Sequence, residues 1–594
     1  MDKKNTAIGM LLLIAAMASF YFSAKFAPPP PKPAVSTPPS SSPIARNQAP
    51  LPGPARTRAD AALVAGPKAS GTREFTTLAN DHIEVKFTNY GGAIESVALK
   101  KHRAELGRPD PYVLNHAEEA GPALALTGYP GLDQSAAYEL VSRTDTEVVY
   151  RTVVDNRMEV TRRFQLIAAA ASTGDPYQIR TETSIRNLTD QVLPLGRLGL
   201  SLGTAAPLNP TDSGLYLNAS YSDGKGASTI RRGALEGGGF FGPRAPLPFI
   251  EKPSPLAWAA VNNQFFTAIL TLDEPGVGIH VERVKLDHAL PNENPSAYGL
   301  SGFAQFELKP IPADASVTLG ASYYAGPKEY RRLANSDYFK QSEDLVMQFG
   351  FFGFFSKLLL TIMTWVHSWV PSWGWAVVIT TLILKIVFVP FTIAASRSSK
   401  RMQRLMPAIQ ALREKFKDDP RKVNEGMMRL YKENKVNPLG GCIPVLITIP
   451  FFIGFFSMLQ SASELRFAPF LWAHDLSAPD TVLSFGAITL PLLGLTHLNL
   501  NVMPLLMGAT TIIQMRLTPT PTTDGAQATM FKLMPWIFIA ICYNFSCALA
   551  LYSTINGLFT IGQQLVINRM PEPDLPTLPG EPKNVTPQRK RARK

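Results

Sequence analysis

The last third of the chain contains a series of apolar segments, each close to twenty residues long, separated by short polar stretches. A helix rises about 1.5 Å per residue, so about twenty apolar residues match a bilayer's hydrocarbon core, about 30 Å thick. This feature constrains the fold most, because it predicts a bundle of membrane-spanning helices. The predicted spans are 373–394, 440–462, 499–518, 529–547 and 548–568.

A further apolar run lies near the N-terminus, from Ala7 to Ala24, after Lys3 and Lys4. This run is either a cleaved signal peptide or an uncleaved anchor. Its length, about 27 Å as a helix, favours an anchor formed by residues 1–26. Residues 27–70 contain twelve prolines among Ser, Ala and Thr, which predicts an extended tether. The anchor brings the predicted total to six spans.

Residues 71–340 alternate apolar and polar side chains with a period of two, the pattern of half-buried strands. Ile83, Val85 and Phe87 illustrate the alternation, and the run Asn89-Tyr-Gly-Gly92 predicts a turn. We predict a large antiparallel β-sandwich that hangs outside the membrane on its tether. This region contains no cysteine, so it needs no disulfide bonds.

The net charge of +12 is concentrated beside the apolar segments. No basic stripe interleaved with aromatic residues is present, so membrane orientation explains the charge better than nucleic-acid binding does. Residues 395–437 carry twelve Lys or Arg against five Asp or Glu, and residues 569–594 carry seven against three. Both segments are therefore predicted to be cytoplasmic, as is the N-terminus.

Apolar residues at helical spacing on both sides of Asp418-Asp419-Pro420 predict a helical hairpin over residues 395–437. Its basic face is either a solvated surface or a docking surface for lipid headgroups or a ribosome. The same two interpretations apply to the basic tail. The candidate residues of the hairpin are Arg401, Arg404, Arg413 and Lys415.

Two other apolar stretches are not predicted to cross the membrane. Residues 343–370 contain charged side chains and end in a group of tryptophans, which predicts an interfacial amphipathic helix. Residues 482–498 are interrupted by glycine and proline, which predicts a loop against the outer membrane surface.

Lys385 is the only ionisable residue between Trp375 and Ile393. A charge at the centre of a span costs about 2.5–3.5 kcal/mol on insertion scales. Snorkelling is the simplest explanation, but the cytoplasmic boundary lies about eight residues away, roughly 12 Å along the helix, and a lysine stem reaches about half as far. We favour the alternative, a hydrated cavity that makes the charge available to a substrate.

Several motifs resemble the YidC family of membrane insertases from double-membrane bacteria. They are Lys435-Val-Asn-Pro-Leu-Gly-Gly-Cys442, Glu464-Leu-Arg466, Ala468-Pro-Phe470, His474-Asp-Leu-Ser477, Pro504-Leu-Leu-Met-Gly508 and Gln563-Gln564-Leu565. The resemblance implies a polytopic α-helical membrane protein with six transmembrane helices, five of them forming the core, plus an all-β periplasmic β-sandwich. It also implies a bacterial inner-membrane protein that inserts and chaperones other membrane proteins, alone or with the Sec translocon.

The resemblance places Lys385 in a hydrophilic groove that is open to the cytoplasm and to lipid. Thr381 and Thr448 match groove-lining positions. A client's hydrophilic, often acidic tail would enter this groove, while its apolar segment would leave along a hydrophobic slide. The positions assigned to the slide are Ile449, Phe452, Met507, Ile541 and Tyr552. Without the resemblance, the threonines would be expected to bond to their own helix backbone, and the apolar residues to pack or face lipid.

Two positions depart from the family pattern. Lys385 stands where the family typically has an arginine, and Ser553 follows Tyr552 where paired tyrosines are frequent. Lysine keeps the positive charge but lacks the planar guanidinium that holds a carboxylate at two points. Only the charge, and not that geometry, can therefore be required here.

A transporter or channel is the alternative function, because a buried charge also marks ion pathways, although no internal repeat is visible. An enzyme has less support. Gly199-Leu-Ser-Leu-Gly203 fits the nucleophile-elbow pattern but lies among predicted strands, and the sequence has no phosphate-binding loop and no zinc-protease motif. We expect no catalytic residue, cofactor or metal. The expected partners are nascent membrane proteins, the Sec translocon, membrane lipids and a ribosome, and not DNA.

Overall fold

The computed structural model describes ten segments of the chain. They are residues 72–115, 121–167, 174–209, 212–237, 245–290, 294–416, 419–434, 443–484, 499–517 and 525–569. The predicted anchor, the predicted tether and residues 570–594 of the basic tail lie outside them, as do residues 485–498 of the predicted outer loop.

Antiparallel strands form the first half of the described chain. Their bounds are β1 Phe75–Ala79, β2 Ile83–Thr88, β3 Ala93–Arg103, β4 Pro111–Leu114, β5 Leu126–Thr127, β6 Glu139–Arg143, β7 Glu147–Val154, β8 Met158–Leu166, β9 Gln178–Asn187, β10 Gly196–Ala205, β11 Asn218–Ser222, β12 Ala227–Arg231, β13 Phe249–Asn262, β14 Phe266–Lys285, β15 Tyr298–Leu308 and β16 Ser316–Pro327. We refer to residues 75–327 as the β-domain.

The period-two alternation produces strands with one buried face. In β2 the side chains of Ile83, Val85 and Phe87 are fully buried. The chain then turns through Gly91 and Gly92, which have φ angles of +69° and +49°. A Cβ atom on Gly92 would lie 2.7 Å from the ring of Tyr138, so this turn requires glycine for its backbone and for its space.

The strands form two sheets. β1 to β4 make a four-stranded sheet in sequence order, and β5 to β16 make a twelve-stranded sheet whose main path runs β12-β11-β13-β14-β16-β9-β8-β7-β6. β10 pairs with β15 and β5, and β15 also pairs with β14. One continuous hydrophobic core joins the sheets, and its largest buried side chains include Trp258, Tyr150 and Phe164.

Helices dominate the second half. Their bounds are α1 Tyr330–Leu333, α2 Gly353–Trp369, α3 Trp373–Lys415, α4 Pro420–Glu433, α5 Ile443–Ser461, α6 Val502–Leu517, α7 Gly525–Cys542 and α8 Cys547–Arg569. A small hairpin of β17 Thr481–Ser484 and β18 Asn499–Asn501 precedes α6.

The third helix is much longer than a bilayer is thick. Its 43 residues extend about 65 Å, so one helix runs through both the predicted span 373–394 and the first arm of the predicted hairpin. Within the described residues, Trp373–Ala394 is the one stretch long and apolar enough to cross a membrane. Ile449–Ser461 and Val502–Leu517 are apolar but shorter. The predicted count of six spans remains a prediction.

Close contacts fix the helices around α3. Ser356 on α2 donates a hydrogen bond to the carbonyl oxygen of Gly454 on α5, at 2.9 Å. A Cβ atom on Gly454 would lie 2.9 Å from the Cβ of Phe355, so glycine allows α2 and α5 to approach. The last helix, α8, packs against α3 and α6. The arms of the hairpin meet through a small apolar cluster around Leu405 and Ile409.

Candidate functional site

Lys385 lies on α3, partly buried against α8. Its Nζ atom donates a hydrogen bond to the hydroxyl of Thr560 on α8, at 2.9 Å. That hydroxyl in turn donates its own proton to the carbonyl oxygen of Asn556, at 2.7 Å. Among the described residues, no carboxylate forms an ion pair with Lys385, whereas Lys357 and Lys422 do have such partners. The site is therefore a positive charge held by a neutral acceptor.

Two more polar contacts join the same helices. The side-chain amide of Gln563 donates to the hydroxyl of Thr392. Lys400 Nζ donates to the carbonyl oxygen of Ile567 at 2.8 Å, which satisfies a carbonyl in the last turn of α8. We call the three contacts Lys385–Thr560, Thr392–Gln563 and Lys400–Ile567 the polar seam. It joins α3 to α8 from the apolar part of α3 into its basic part and holds the two helices side by side.

The two predicted groove threonines are placed differently from Thr560. The hydroxyl of Thr381 donates to the carbonyl oxygen of Val377, one turn earlier in α3, at 2.7 Å, and the residue is only 1% exposed. Thr448 lies on α5, but its side chain is not part of what the structure describes. The polar contact to Lys385 therefore comes from α8 rather than from either threonine.

Two of the predicted slide residues meet in an aromatic cluster. The rings of Phe452 and Tyr552 lie 6.2 Å apart. Tyr552 also stacks on Phe455, with ring centres 4.2 Å apart and planes 14° from parallel. The cluster packs α5 against α8, with Phe455 and Tyr552 buried and Phe452 partly exposed.

The other predicted slide residues differ in exposure. Met507 on α6 is buried, whereas Ile449 on α5 and Ile541 on α7 are partly exposed. Met507 is thus placed in the packing of the bundle, and the two isoleucines border its surface.

The candidate basic residues of the hairpin lie on the extended part of α3. Arg404 and Lys415 are exposed, whereas Arg401 and Arg413 are partly buried. Lys415 Nζ lies 5.6 Å from the ring centre of Phe416. The four residues therefore differ in exposure, and their role as a basic docking surface remains a prediction.

Arg466, in the loop after α5, connects the helices to the β-domain. Its guanidinium donates to the carbonyl oxygens of Arg103, at 2.5 Å, and Ala104, at 2.8 Å. It also lies over the rings of Phe266 and Tyr112, at 5.2 and 5.5 Å. Because its partners are carbonyl oxygens at the end of β3, this cation is a structural contact. We call the loop 463–467 and its β-domain contacts the junction.

Glu464 lies in the same junction, in surroundings that disfavour its charged form. Its Oε2 atom is buried and has no hydrogen-bond partner among the described residues. Burial, followed by the negative charge of Glu329, raises the pKa of Glu464 to about 7. Its carboxyl group is therefore partly protonated near neutral pH.

The β-domain contains a cavity of about 320 Å³ beside β10, β14 and β15, lined in part by Arg197, His280 and Phe303. The carboxylates of Glu282 and Glu251 flank His280 and raise its pKa. The cavity thus combines opposite charges that largely balance one another.

The apparent nucleophile elbow lies in a strand. Residues Gly199–Gly203 belong to β10, and Ser201 is buried there. The pentapeptide lacks the strand-to-helix turn that exposes a nucleophile. The described residues contain no group of three or more His, Cys, Asp or Glu side chains that could hold a metal ion.

The sequence alone does not identify Thr560 and Gln563 as partners of α3. A signal was available, because the two polar residues are three positions apart and share one face of an apolar helix. What the sequence lacks is the identity of the facing helix, which lies about 175 residues away for the Lys385–Thr560 contact.

Comparison with known proteins covers both halves of the chain. Residues 76–362 match the family described as the YidC periplasmic domain, and residues 365–574 match the family described as 60Kd inner membrane protein. The membrane protein insertase YidC of Burkholderia multivorans is 30% identical over 529 residues, which cover 87% of this chain and 88% of the relative. The corresponding protein of Pelobacter propionicus is 32% identical over 499 residues, covering 82% and 84%.

Similar solved structures include an active YidC insertase with its first transmembrane domain resolved. It has a TM-score of 0.31 and 16% identity and covers 84% of this chain and 94% of its own. A putative aldose 1-epimerase from Escherichia coli K12 has a TM-score of 0.27 and 11% identity and covers 43% of this chain and 100% of its own. The sequence relationships, rather than these structural similarities, carry the assignment to a family.

Proposed function

The chain belongs to the YidC family of membrane protein insertases, and we propose that it moves hydrophilic tails and transmembrane segments of client proteins from the cytoplasm into the inner membrane. Membership establishes an inner-membrane protein with a β-rich periplasmic domain, related to insertases along most of its length. The observation that carries the proposal is Lys385, a cation in a predicted span whose hydrogen-bond partner is a neutral hydroxyl.

An unneutralised charge in this position can attract a client's acidic tail. A carboxylate accepts a hydrogen bond from an ammonium group more strongly than a hydroxyl does. Because the tail would travel through a hydrated groove, its polar path across the hydrocarbon would be shortened. Transfer of about twenty apolar residues into lipid is itself favourable, so the step needs no ATP.

The apolar part of a client needs a separate surface beside the groove. Phe452, Ile449 and Ile541 support such a surface because they are partly exposed, and buried Tyr552 packs against Phe452 from α8. Buried Met507 would support the slide from behind. We propose that client segments pass over this surface into lipid.

The wider arrangement is part of the same proposal. Six spans, formed by the anchor 1–26 and five core helices within 371–568, would place both termini in the cytoplasm and residues 71–340 in the periplasm. Residues 343–370 would lie at the membrane interface, with the basic hairpin 395–437 and the tail 569–594 facing lipid headgroups or a ribosome. Cooperation with the Sec translocon belongs to this proposal as well.

Reconstitution separates this function from a transporter or channel, which the relatives do not favour. Proteoliposomes that contain the purified chain should protect a small test membrane protein from added protease, whereas protein-free liposomes should not. Solute flux without protected insertion would contradict the proposal. A photoreactive group at Phe452 should cross-link to the client's apolar segment, and the same group at buried Trp258 in the β-domain serves as a control.

A further inference from the structure

The helical bundle offers Lys385 one described side-chain partner, and that partner is on the last helix. We propose that Thr560 is the positioning residue that holds the Lys385 ammonium against α8, in the place that a client's carboxylate would take. The proposal rests on the proposed function, in which Lys385 receives the client's tail.

The hydrogen-bonding pattern of Thr560 suits this role. Its single hydroxyl proton is given to the carbonyl oxygen of Asn556, so its oxygen offers only lone pairs toward α3. Lys385 presents three N–H donors and no acceptor, and one of them is directed at that oxygen at 2.9 Å. The contact is therefore complementary without neutralising the charge.

The polar seam sets where the ammonium is held. Lys385 precedes Thr392 by seven residues, whereas Thr560 precedes Gln563 by three, and both helices run in the same direction along the seam. The four-residue difference corresponds to about 6 Å of helix, close to the length of a lysine stem. The side chain therefore extends along the seam toward Lys400 and ends at Thr560.

A neutral hydroxyl is also an exchangeable partner. A carboxylate in the place of Thr560 would form a permanent ion pair and would compete with the client, whereas an apolar side chain would leave the ammonium without an acceptor in an apolar setting. Threonine meets both needs, because it satisfies the lysine in the absence of a client and gives way to a stronger acceptor.

The test compares Thr560→Val with Thr554→Val in full-length protein. Both threonines lie on α8 and donate to the carbonyl oxygen four residues earlier, but of the two only Thr560 contacts Lys385. Thr560→Val should lower insertion of a client with an acidic tail about fivefold, as expected for loss of one hydrogen bond of typical net strength. Thr554→Val should leave it unchanged, and Thr560→Ser, which keeps the hydroxyl, should restore it.

A second readout does not depend on insertion. The purified protein is treated with a water-soluble amine-acylating reagent, and mass spectrometry follows the modification of Lys385, with Lys400 as the internal reference. Thr560→Val should raise the rate at Lys385 relative to Lys400 about fivefold. An unchanged ratio would overturn the proposal.

The Lys385→Met background distinguishes this proposal from the proposed function. If Lys385→Met impairs insertion, Thr560→Val should have no further effect in that background, because it acts through the lysine. A further loss of the same size there would overturn the positioning role. If Lys385→Met leaves insertion intact, the groove charge is wrong, while the acylation ratio still decides whether Thr560 holds the lysine.

Discussion

The two halves of the molecule differ in how far their large apolar side chains are buried. In the β-domain the largest aromatic residues are enclosed, and Trp258 is fully buried with its indole N–H donating to the carbonyl oxygen of Gln341. In the helical half, several apolar side chains of similar size face outward, and Trp369 at the end of α2 is 76% exposed. The difference identifies the surface that lipid rather than protein is expected to cover.

Buried cations show the same division. Directly after β16, Lys328 is buried against the β-domain beside the carbonyl oxygens of Asn263 and Gln264, at 3.4 and 3.3 Å, and burial lowers its pKa to about 8. Backbone carbonyls cannot be exchanged without unfolding. Lys385 in the bundle instead has a side-chain hydroxyl as its partner. The comparison teaches that a structural cation is enclosed by backbone, whereas the proposed functional cation has a replaceable partner.

The largest effect is expected inside the β-domain. Trp258→Ala should lower the free energy of unfolding of that domain by about 3–5 kcal/mol, because it leaves a cavity and the Gln341 carbonyl without its donor. Urea-dependent proteolysis of the full-length protein in detergent measures the change. A loss below about 1 kcal/mol would mean that the core does not enclose this side chain as described.

A smaller effect is expected at the junction between the halves. Arg466→Ala removes the hydrogen bonds to Arg103 and Ala104 and should destabilise the contact by about 2 kcal/mol. Hydrogen exchange of the amides at 463–467 and at the end of β3 measures junction opening. Arg466→Lys should recover part of the protection, and full protection in the alanine variant would show that the halves are held together elsewhere.

The junction should also weaken as pH rises. The unfolded Glu464 carboxyl titrates near 4.5 and the folded one near 7, so the folded protein binds the proton more tightly between these values. The stabilisation is complete below pH 4.5 and is lost as pH rises through about 7. Part of the Glu464 residue is exposed to solvent, which limits the expected change in junction stability to about 1 kcal/mol.

The matched variant for this pH effect is Glu464→Gln, which cannot titrate. His102, whose pKa is lowered to about 4 by burial and by Arg466, acts in the opposite direction at lower pH, so the difference between wild type and variant is the quantity to follow. Junction exchange in wild type should increase relative to the variant between pH 5 and pH 8. Parallel pH profiles would exclude Glu464 as the cause.

The smallest effect on folding is expected on the outer surface of α2. Trp369→Ala should change the free energy of unfolding by no more than about 0.5 kcal/mol, because the side chain is largely exposed. The same variant should weaken quenching of the protein's fluorescence by lipids that carry a quencher at headgroup depth. Unchanged quenching would contradict an interfacial position for this helix.

The strands and helices could be predicted from the sequence more easily than the contacts between them. The alternation of Ile83, Val85 and Phe87 indicates a strand with one buried face, and the structure contains that strand. Each predicted core span contains a helix, although residues 499–501 form β18 and the helix in the predicted span 529–547 ends at Cys542. Short-range periodicity is enough for such inferences, because each element's own residues carry it.

Which side of an apolar helix is buried could not be predicted from the sequence in the same way. A helix that is apolar on all sides has no polar face to mark the exterior, which is why buried Met507 and partly exposed Ile541 look alike in the sequence. The threonines pose a similar problem, since Thr381 and Thr560 both bond to their own helix backbone, but of the two only Thr560 meets the lysine. That distinction depends on long-range packing.

The most direct test of the account pairs Lys385 variants with the charge of the client's tail. Insertion is measured in proteoliposomes for two versions of one client, with an acidic or an uncharged tail, by wild type, Lys385→Ala and Lys385→Arg. For the acidic tail, Lys385→Ala should reduce insertion about tenfold, equivalent to about 1.4 kcal/mol, while Lys385→Arg keeps it. The uncharged tail should be affected much less. Equal insertion of both clients by wild type and Lys385→Ala would contradict the claim that this charge receives the client.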